Sequence, residues 1–213
     1  MLNHYPREEA KEVNKNKKGT FIVIEGLDGS GKTTQAKILA HKLRKSHDAV
    51  FTAEPSRGKI GTFIRNRILY GETRPPVSVE ALLFAADRID HIQSEVQPAL
   101  DEGKLVVSDR YVYSSLSYQG SAGLDLEWIG TINQLALKPD LALFIDVAPE
   151  VVLERLKRKK SVMENLETQR KVRDIYHKFI EKGELIRIDG NKPKSEVAKE
   201  VLAVVTAFLK TRG

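Results

Sequence analysis

Five short apolar runs recur along this chain, and between them hydrophobic residues return at three- and four-residue spacing. The runs at 20–25, 49–53, 105–108, 141–146 and 184–188 predict β-strands, because continuous apolar stretches of this length suit strands buried on both faces. The intervening pattern predicts helices near 32–46, 59–70, 78–102, 125–137, 149–159, 166–182 and 194–210. Pro98 falls inside the third of these and predicts a kink or break there. Pro75-Pro76 and Lys138-Pro139-Asp140 mark helix boundaries. The stretch 113–120 carries hydroxyls and an amide without strong periodicity. Strands alternating with helices imply βαβ units and a mostly parallel sheet.

The first strand runs straight into Gly26-Leu27-Asp28-Gly29-Ser30-Gly31-Lys32-Thr33, a full G-x-x-x-x-G-K-[ST] match, with a helical pattern starting immediately after it. Glycines let the backbone curl so that its N–H groups point inward, and the helix N-terminus adds positive potential. The chain is therefore expected to bind a nucleoside triphosphate, which the family resemblance given below makes ATP, through Gly26, Leu27, Asp28, Gly29, Ser30, Gly31, Lys32, Thr33 and Thr34. Lys32 is placed to reach the β- and γ-phosphates, and the Thr33 hydroxyl to ligate Mg²⁺. The expected architecture is a three-layer α/β P-loop NTPase fold with a five-stranded parallel sheet flanked by helices, to which the family resemblance given below adds a mobile lid.

At 213 residues the chain fits one α/β domain, and 41% apolar with 30% charged residues describes a folded protein. Residues 19–213 are expected to form that domain and 1–18 a flexible basic tail, since nothing between Lys11 and Lys18 could bury a face. A net charge of +6 invites a nucleic-acid reading, but the excess clusters locally and lacks any helix-turn-helix, zinc-finger or RNP pattern. A basic cleft for a phosphate-rich small substrate explains it equally well, so no nucleic-acid partner is expected. The absence of cysteine excludes disulfides and thiolate metal sites. No apolar stretch approaches the ~18 residues of a membrane span, and a cytoplasmic protein without membrane contact is expected.

In open parallel sheets ligands bind beyond the carboxyl ends of the strands. Asp28 follows the first strand, Glu54 the second, and Asp109-Arg110 the third. An apolar strand ending in Asp109 resembles a Walker B arrangement, in which the acid holds Mg²⁺ directly or through water. Arg110, beside it, could pair with a second phosphate. Phe84 and Arg88, four apart, share one helix face. A ring stacking on a base with a guanidinium at its edge is one reading, and a core Phe with a solvent-facing Arg is the other.

Gly26–Thr33, Glu54-Pro55, Phe84 with Arg88, Asp109-Arg110-Tyr111 and Ser115–Gly120 together resemble the thymidylate kinase family, in order from about residue 20 to residue 210. The resemblance implies transfer of the γ-phosphate of ATP to dTMP, giving dTDP and ADP on the way to dTTP, with Mg²⁺ as cofactor and a homodimer built on the Phe84 helix. It implies a dTMP site of Asp28, Glu54, Pro55, Arg57, Phe84, Arg88, Arg110, Ser115, Tyr118 and Gln119. In that site Phe84 stacks on thymine, Arg88 bonds its edge, Arg110 grips the phosphate, and Tyr118 packs against the deoxyribose. Ser115 and Gln119 line the base pocket, and Thr33 and Asp109 hold the metal. The basic run Arg155–Lys160 lies in the family's lid, about 155–168, and makes Arg155 and Arg158 candidates for a catalytic arginine beside Lys32 and Arg110. Residues 188–191 could lie against adenine.

The chain departs from many relatives at three positions: Ala53 and Asn165 stand where they carry arginine, and Gly29 where some carry a P-loop arginine. An adenylate-kinase-like enzyme fits less well because Leu27 follows the first loop glycine where proline is usual. A P-loop switch or nucleic-acid-associated ATPase is the reading from another class, and it would turn over ATP without regard to dTMP.

Overall fold

A computed structural model describes residues 19–71, 73–156 and 165–212. The expected tail at 1–18, Arg158 and most of the expected lid lie outside the described residues. The five predicted strands form one all-parallel sheet: β1 (Thr20–Gly26), β2 (Ala49–Ala53), β3 (Leu105–Asp109), β4 (Leu141–Asp146) and β5 (Ile186–Asp189). Their order across the sheet is β2-β3-β1-β4-β5. The three inner strands are buried along their whole length, while edge strands β2 and β5 are only partly covered. That burial is why the inner strands read as unbroken apolar runs. β5 begins two residues later than the 184–188 expectation.

Strand order fixes where the helices go. Only the β1-to-β2 crossover runs toward the β2 edge; the later ones all run toward β5. Right-handed crossovers of opposite direction lie on opposite faces of the sheet. Helix α1 (Lys32–Leu43) therefore lies on one face, where the Gln35 amide donates to the Lys194 carbonyl at the start of α9 (Lys194–Lys210). On the other face run α2 (Lys59–Phe63), α3 (Val77–His91), α4 (Gln97–Asp101), α5 (Val112–Ser121), α6 (Leu126–Ile132), α7 (Pro149–Arg155) and α8 (Leu166–Glu181). The direction reverses at β1 and β3, and this opens a crevice beyond their carboxyl ends.

The helices depart from the expected ones in instructive ways. The 78–102 helix is broken: α3 gives way to a π-helical turn, Ile92–Val96, before α4. Pro98 has no N–H for the Ser94 carbonyl and its ring crowds that carbonyl, so the chain widens by one residue and restarts with Pro98 in the first turn. The 59–70 helix likewise turns π-helical from Ile64 to Leu69. Asn165 caps α8, its side chain accepting from Thr168 N at 2.8 Å, a task an arginine could not perform. The 113–120 stretch is a helix, α5. It lacks apolar periodicity because its buried face is built from Ser115, Tyr118 and Gln119.

Leu143 sits at the centre of β4 with no solvent exposure. Leu143→Ala is expected to lower the unfolding free energy by about 2–5 kcal/mol, the usual consequence of an uncollapsed core cavity, measured by denaturant unfolding.

Candidate active site

The loop after β1 turns tightly. Gly31, with φ of 90°, caps α1, and Gly29, with φ of 89°, lies under the end of α7. A Cβ on Gly29 would stand 2.9 Å from Leu156 Cγ and 3.0 Å from the Val152 carbonyl, so a P-loop arginine has no room to leave the loop in this arrangement. Lys32 is 6% exposed, and its Nζ lies 3.3 Å from Asp28 Oδ1. Thr33 Oγ1 donates to Asp109 Oδ2, joining the loop to the end of β3. The second Asp109 oxygen is buried and has no hydrogen-bond partner among the described residues.

Asp28 also takes an ion pair from Arg110 Nη2, while its main-chain N–H donates to the Tyr118 hydroxyl at 3.1 Å. Burial alone would raise the Asp28 pKa, but the Arg110 and Lys32 charges outweigh it and hold the carboxyl well below the ordinary range. Arg110 stacks on the Tyr118 ring at 5.1 Å and donates through Nη1 to Ser114 Oγ at 2.7 Å. Its φ of 74° is the one left-handed non-glycine value among the described residues, so surrounding contacts must hold a strained conformation there.

A second cluster fills the space between β2, α3, α5 and α6. Arg88 is 1% exposed. Its guanidinium meets Glu54 Oε2 through Nε at 2.9 Å and Nη2 at 2.7 Å, reaches Ser115 Oγ through Nη2 at 3.2 Å, and donates through Nη1 to Asn133 Oδ1. Phe84, one turn earlier, is half-buried. The reading of a core Phe with a solvent-facing Arg is overturned, because the arginine is the more deeply buried of the two, held there by Glu54, Asn133 and Ser115. Glu54 also faces His91 Nδ1 at 3.3 Å, and His91 Nε2 lies 2.6 Å from Thr52 Oγ1. Burial lowers the His91 pKa, but the bond and charge of Glu54, with Glu95 and Asp87, more than offset it and leave it raised.

The loop after Glu54 is clamped from two sides. Asp87 accepts from Ser56 N at 2.7 Å and Ser56 Oγ at 2.6 Å, and Arg65 Nη1 donates to the Pro55 and Ser56 carbonyls. Arg65 thus steadies a loop whose entry, Ala53, offers no side-chain bond of its own. Arg57 is exposed on that loop. Gln119 donates to Glu80 Oε1 at 2.9 Å, and Arg74 pairs with the other Glu80 oxygen at 2.7 Å. Thr34 is exposed in the first turn of α1, and Arg155 is exposed at the end of α7. The 188–191 segment turns back on β4, with Gly190 N donating to the Asp146 carbonyl at 2.8 Å.

The fold thus brings Asp28, Lys32, Thr33, Asp109, Arg110 and Tyr118 into one group and Glu54, Arg88 and Ser115 into an adjoining one. Sequence reasoning missed Glu25, Asn133, His91 and Tyr176. Glu25 had a sign, a carboxylate at the end of an apolar run, whereas Asn133 and Tyr176 had none. Burial raises the Glu25 pKa, opposed by donors from Ser114, Tyr176 and Tyr111 and by the Arg110 charge.

A phosphate loop after the first strand of a parallel sheet, its lysine paired with Asp28 and its threonine bonded to the carboxylate that ends β3, defines a nucleotide-binding protein of the P-loop class. Comparison with known proteins narrows the class. The family model described as thymidylate kinase matches residues 24–201. The chain is 42% identical over 197 residues to a "Probable thymidylate kinase" of Pyrococcus abyssi, covering 88% of this chain and 96% of that one. The protein of the same name from Pyrococcus horikoshii is 45% identical over 197 residues with the same coverage. That from Methanococcus vannielii is 47% identical over 162 residues, covering 76% and 78%. The chain belongs to the thymidylate kinase family.

The raised His91 pKa carries a pH signature. A histidine whose folded pKa lies above its unfolded value stabilises the fold fully below the unfolded pKa and loses that contribution as pH rises through the folded one. The difference in unfolding free energy between the wild type and His91→Gln is therefore expected to be largest below about pH 6 and to shrink at higher pH, read from denaturant curves across pH.

Proposed function

We propose that the protein transfers the γ-phosphate of ATP to the 5′-phosphate of dTMP, releasing dTDP and ADP. The observation that carries this reading is the Asp28 carboxylate held between Lys32, in the phosphate loop, and Arg110, at the end of the neighbouring strand. Donor and acceptor both bring negative phosphates, and in-line transfer requires them a few ångströms apart with cations on both. An acceptor phosphate oxygen forms the new bond to the γ-phosphorus as the bond to the β-phosphate oxygen breaks. Loop amides and Lys32 hold the donor phosphates, and Arg110 holds the acceptor phosphate.

Phe84 is assigned to the thymine face, Tyr118 to the deoxyribose, and Ser115 and Gln119 to the base pocket. Arg88 is assigned to the base edge; its Nη1 keeps a hydrogen beyond the one given to Asn133. Glu54, Pro55 and Arg57 border the pocket from the loop after β2. Thr33 and Asp109 offer a hydroxyl and a carboxylate, one oxygen of which is buried and unpartnered among the described residues, a set that suits a hard cation held mainly by substrate phosphates. Mg²⁺ bound there would offset charge on the β- and γ-phosphate oxygens. Arg155 or Arg158 is assigned as the lid arginine. Homodimerisation through α3 is supported by its exposed apolar stripe of Val79, Leu82 and Ala86. A cytoplasmic setting belongs to the same reading, because the reaction consumes ATP.

ADP formation with dTMP, dUMP and UMP offered separately tests the reading. Strong stimulation by dTMP supports it, equal use of all three removes the thymidylate pocket, and turnover indifferent to any acceptor favours the switch reading. Lys32→Ala is expected to lower kcat by about 10²-fold or more with a folded circular-dichroism spectrum, because it removes charge that the migrating phosphoryl needs. At Arg88 the informative change is to lysine, since alanine would strand the buried Glu54 carboxylate. Arg88→Lys keeps the charge but loses the planar fork. It is expected to raise KM for dTMP about tenfold while KM for ATP stays put, read from initial rates.

A further inference from the structure

Glu25 is the last side chain of β1 before the phosphate loop, and it has no solvent exposure. A carboxylate so placed is destabilising unless it is surrounded by donors. It is surrounded. Oε1 accepts from the main-chain N–H groups of Tyr111 at 2.8 Å and Ser114 at 3.2 Å. Oε2 accepts from Ser114 Oγ at 2.7 Å and from the Tyr176 hydroxyl of α8 at 2.8 Å. Two of these donors adjoin the strained residue: Tyr111 follows Arg110 directly, and the Ser114 hydroxyl oxygen itself accepts from Arg110 Nη1.

The chain of contacts is therefore continuous. Tyr176 on α8 donates to Glu25 on β1, Ser114 on α5 donates to the same carboxylate, and Arg110 donates to Ser114. Anchoring the Tyr111 amide fixes the peptide after Arg110, which confines a backbone that a non-glycine residue would otherwise leave. Orienting the Ser114 hydroxyl fixes which lone pair faces the guanidinium.

We propose that Glu25 is a positioning residue for phosphoryl transfer, holding Arg110 in its left-handed conformation with its guanidinium turned toward the acceptor phosphate, and that Tyr176 ties α8 to the same carboxylate. The proposal rests on the assignment of Arg110 to the acceptor phosphate.

The test compares Glu25→Gln, Tyr176→Phe, Arg110→Ala and the double variant Glu25→Gln/Arg110→Ala in the full chain. It reads KM for dTMP, KM for ATP, kcat and thermal midpoint. Glu25→Gln replaces two acceptor lone pairs with N–H donors facing other donors. It is expected to raise KM for dTMP at least about tenfold and leave KM for ATP within about twofold. Tyr176→Phe keeps the carboxylate and both main-chain bonds, so it folds even if Glu25→Gln does not, and it should shift KM for dTMP in the same direction by a smaller factor. In the Arg110→Ala background, Glu25→Gln should change dTMP affinity little further, because its effect passes through the missing guanidinium. Full additivity of the two, or a fall in thermal midpoint with KM for dTMP unmoved, would make Glu25 a core carboxylate and overturn the proposal. An Arg110→Ala enzyme with normal KM for dTMP would instead overturn the acceptor-phosphate assignment beneath it.

Discussion

The Asp28 carboxylate stands between two cations that repel one another, and the arrangement of the site depends on it. Lys32 and Arg110 belong to different strand ends, and under the proposed assignment they stand close together because donor and acceptor phosphates must meet. Without a shared anion, the buried Lys32 charge and the partly buried Arg110 charge would repel one another across the gap between the phosphate loop and the β3 terminus. Asp28 removes that repulsion in the free protein, and in the proposed reaction the phosphates would supply the same negative charge to the same cations. The site is thus organised before substrate binds, which is where electrostatic stabilisation of transferring phosphate draws its effect.

A buried polar layer extends outward from this centre. Glu25, Ser114 and Tyr176 support Arg110, while Glu54, Asn133, Ser115 and His91 surround Arg88. Among the described residues of this layer the Glu25, Glu54 and Arg88 charges are matched, and the matches join β1 to α5 and α8, the loop after β2 to α3, and α3 to α5 and the end of α6. Such networks are unforgiving, since removing one member strands another in a medium of low polarisability. They hold the two halves of the crevice in register in a way that apolar packing, which tolerates sliding, does not.

The three departures from the common family pattern acquire local reasons. Gly29 is covered by Leu156 and Val152, so an arginine would have to displace α7. Asn165 caps α8. Ala53 is followed by a loop that Asp87 and Arg65 grip from opposite sides. Gly29 thus answers to a steric demand and Asn165 to a hydrogen-bonding one, while at Ala53 the neighbouring residues do the holding, and the cations that the described residues bring to the site are those of Lys32, Arg88 and Arg110.

The amino-acid sequence by itself determined the strand positions, the phosphate loop and the carboxylates at the strand ends. Those features are local: an apolar run, a glycine pattern and a charge that terminates a strand each act within a few residues. It also carried the Pro98 break, because proline's missing donor acts on its own helix. Helix α5 was not legible, since its inward residues are polar and their burial depends on partners from α3 and β1 that lie far along the chain. The same holds for Arg88, whose helical spacing with Phe84 says nothing about Glu54 and Asn133 waiting across the interface. Tyr176 and Asn133 gave no sign at all, being single polar residues in ordinary helical patterns. Only the tertiary structure decided these, because the energy of a buried charge is set by which donors and acceptors converge on it, and that convergence exists only once the strands are ordered and the crossovers made.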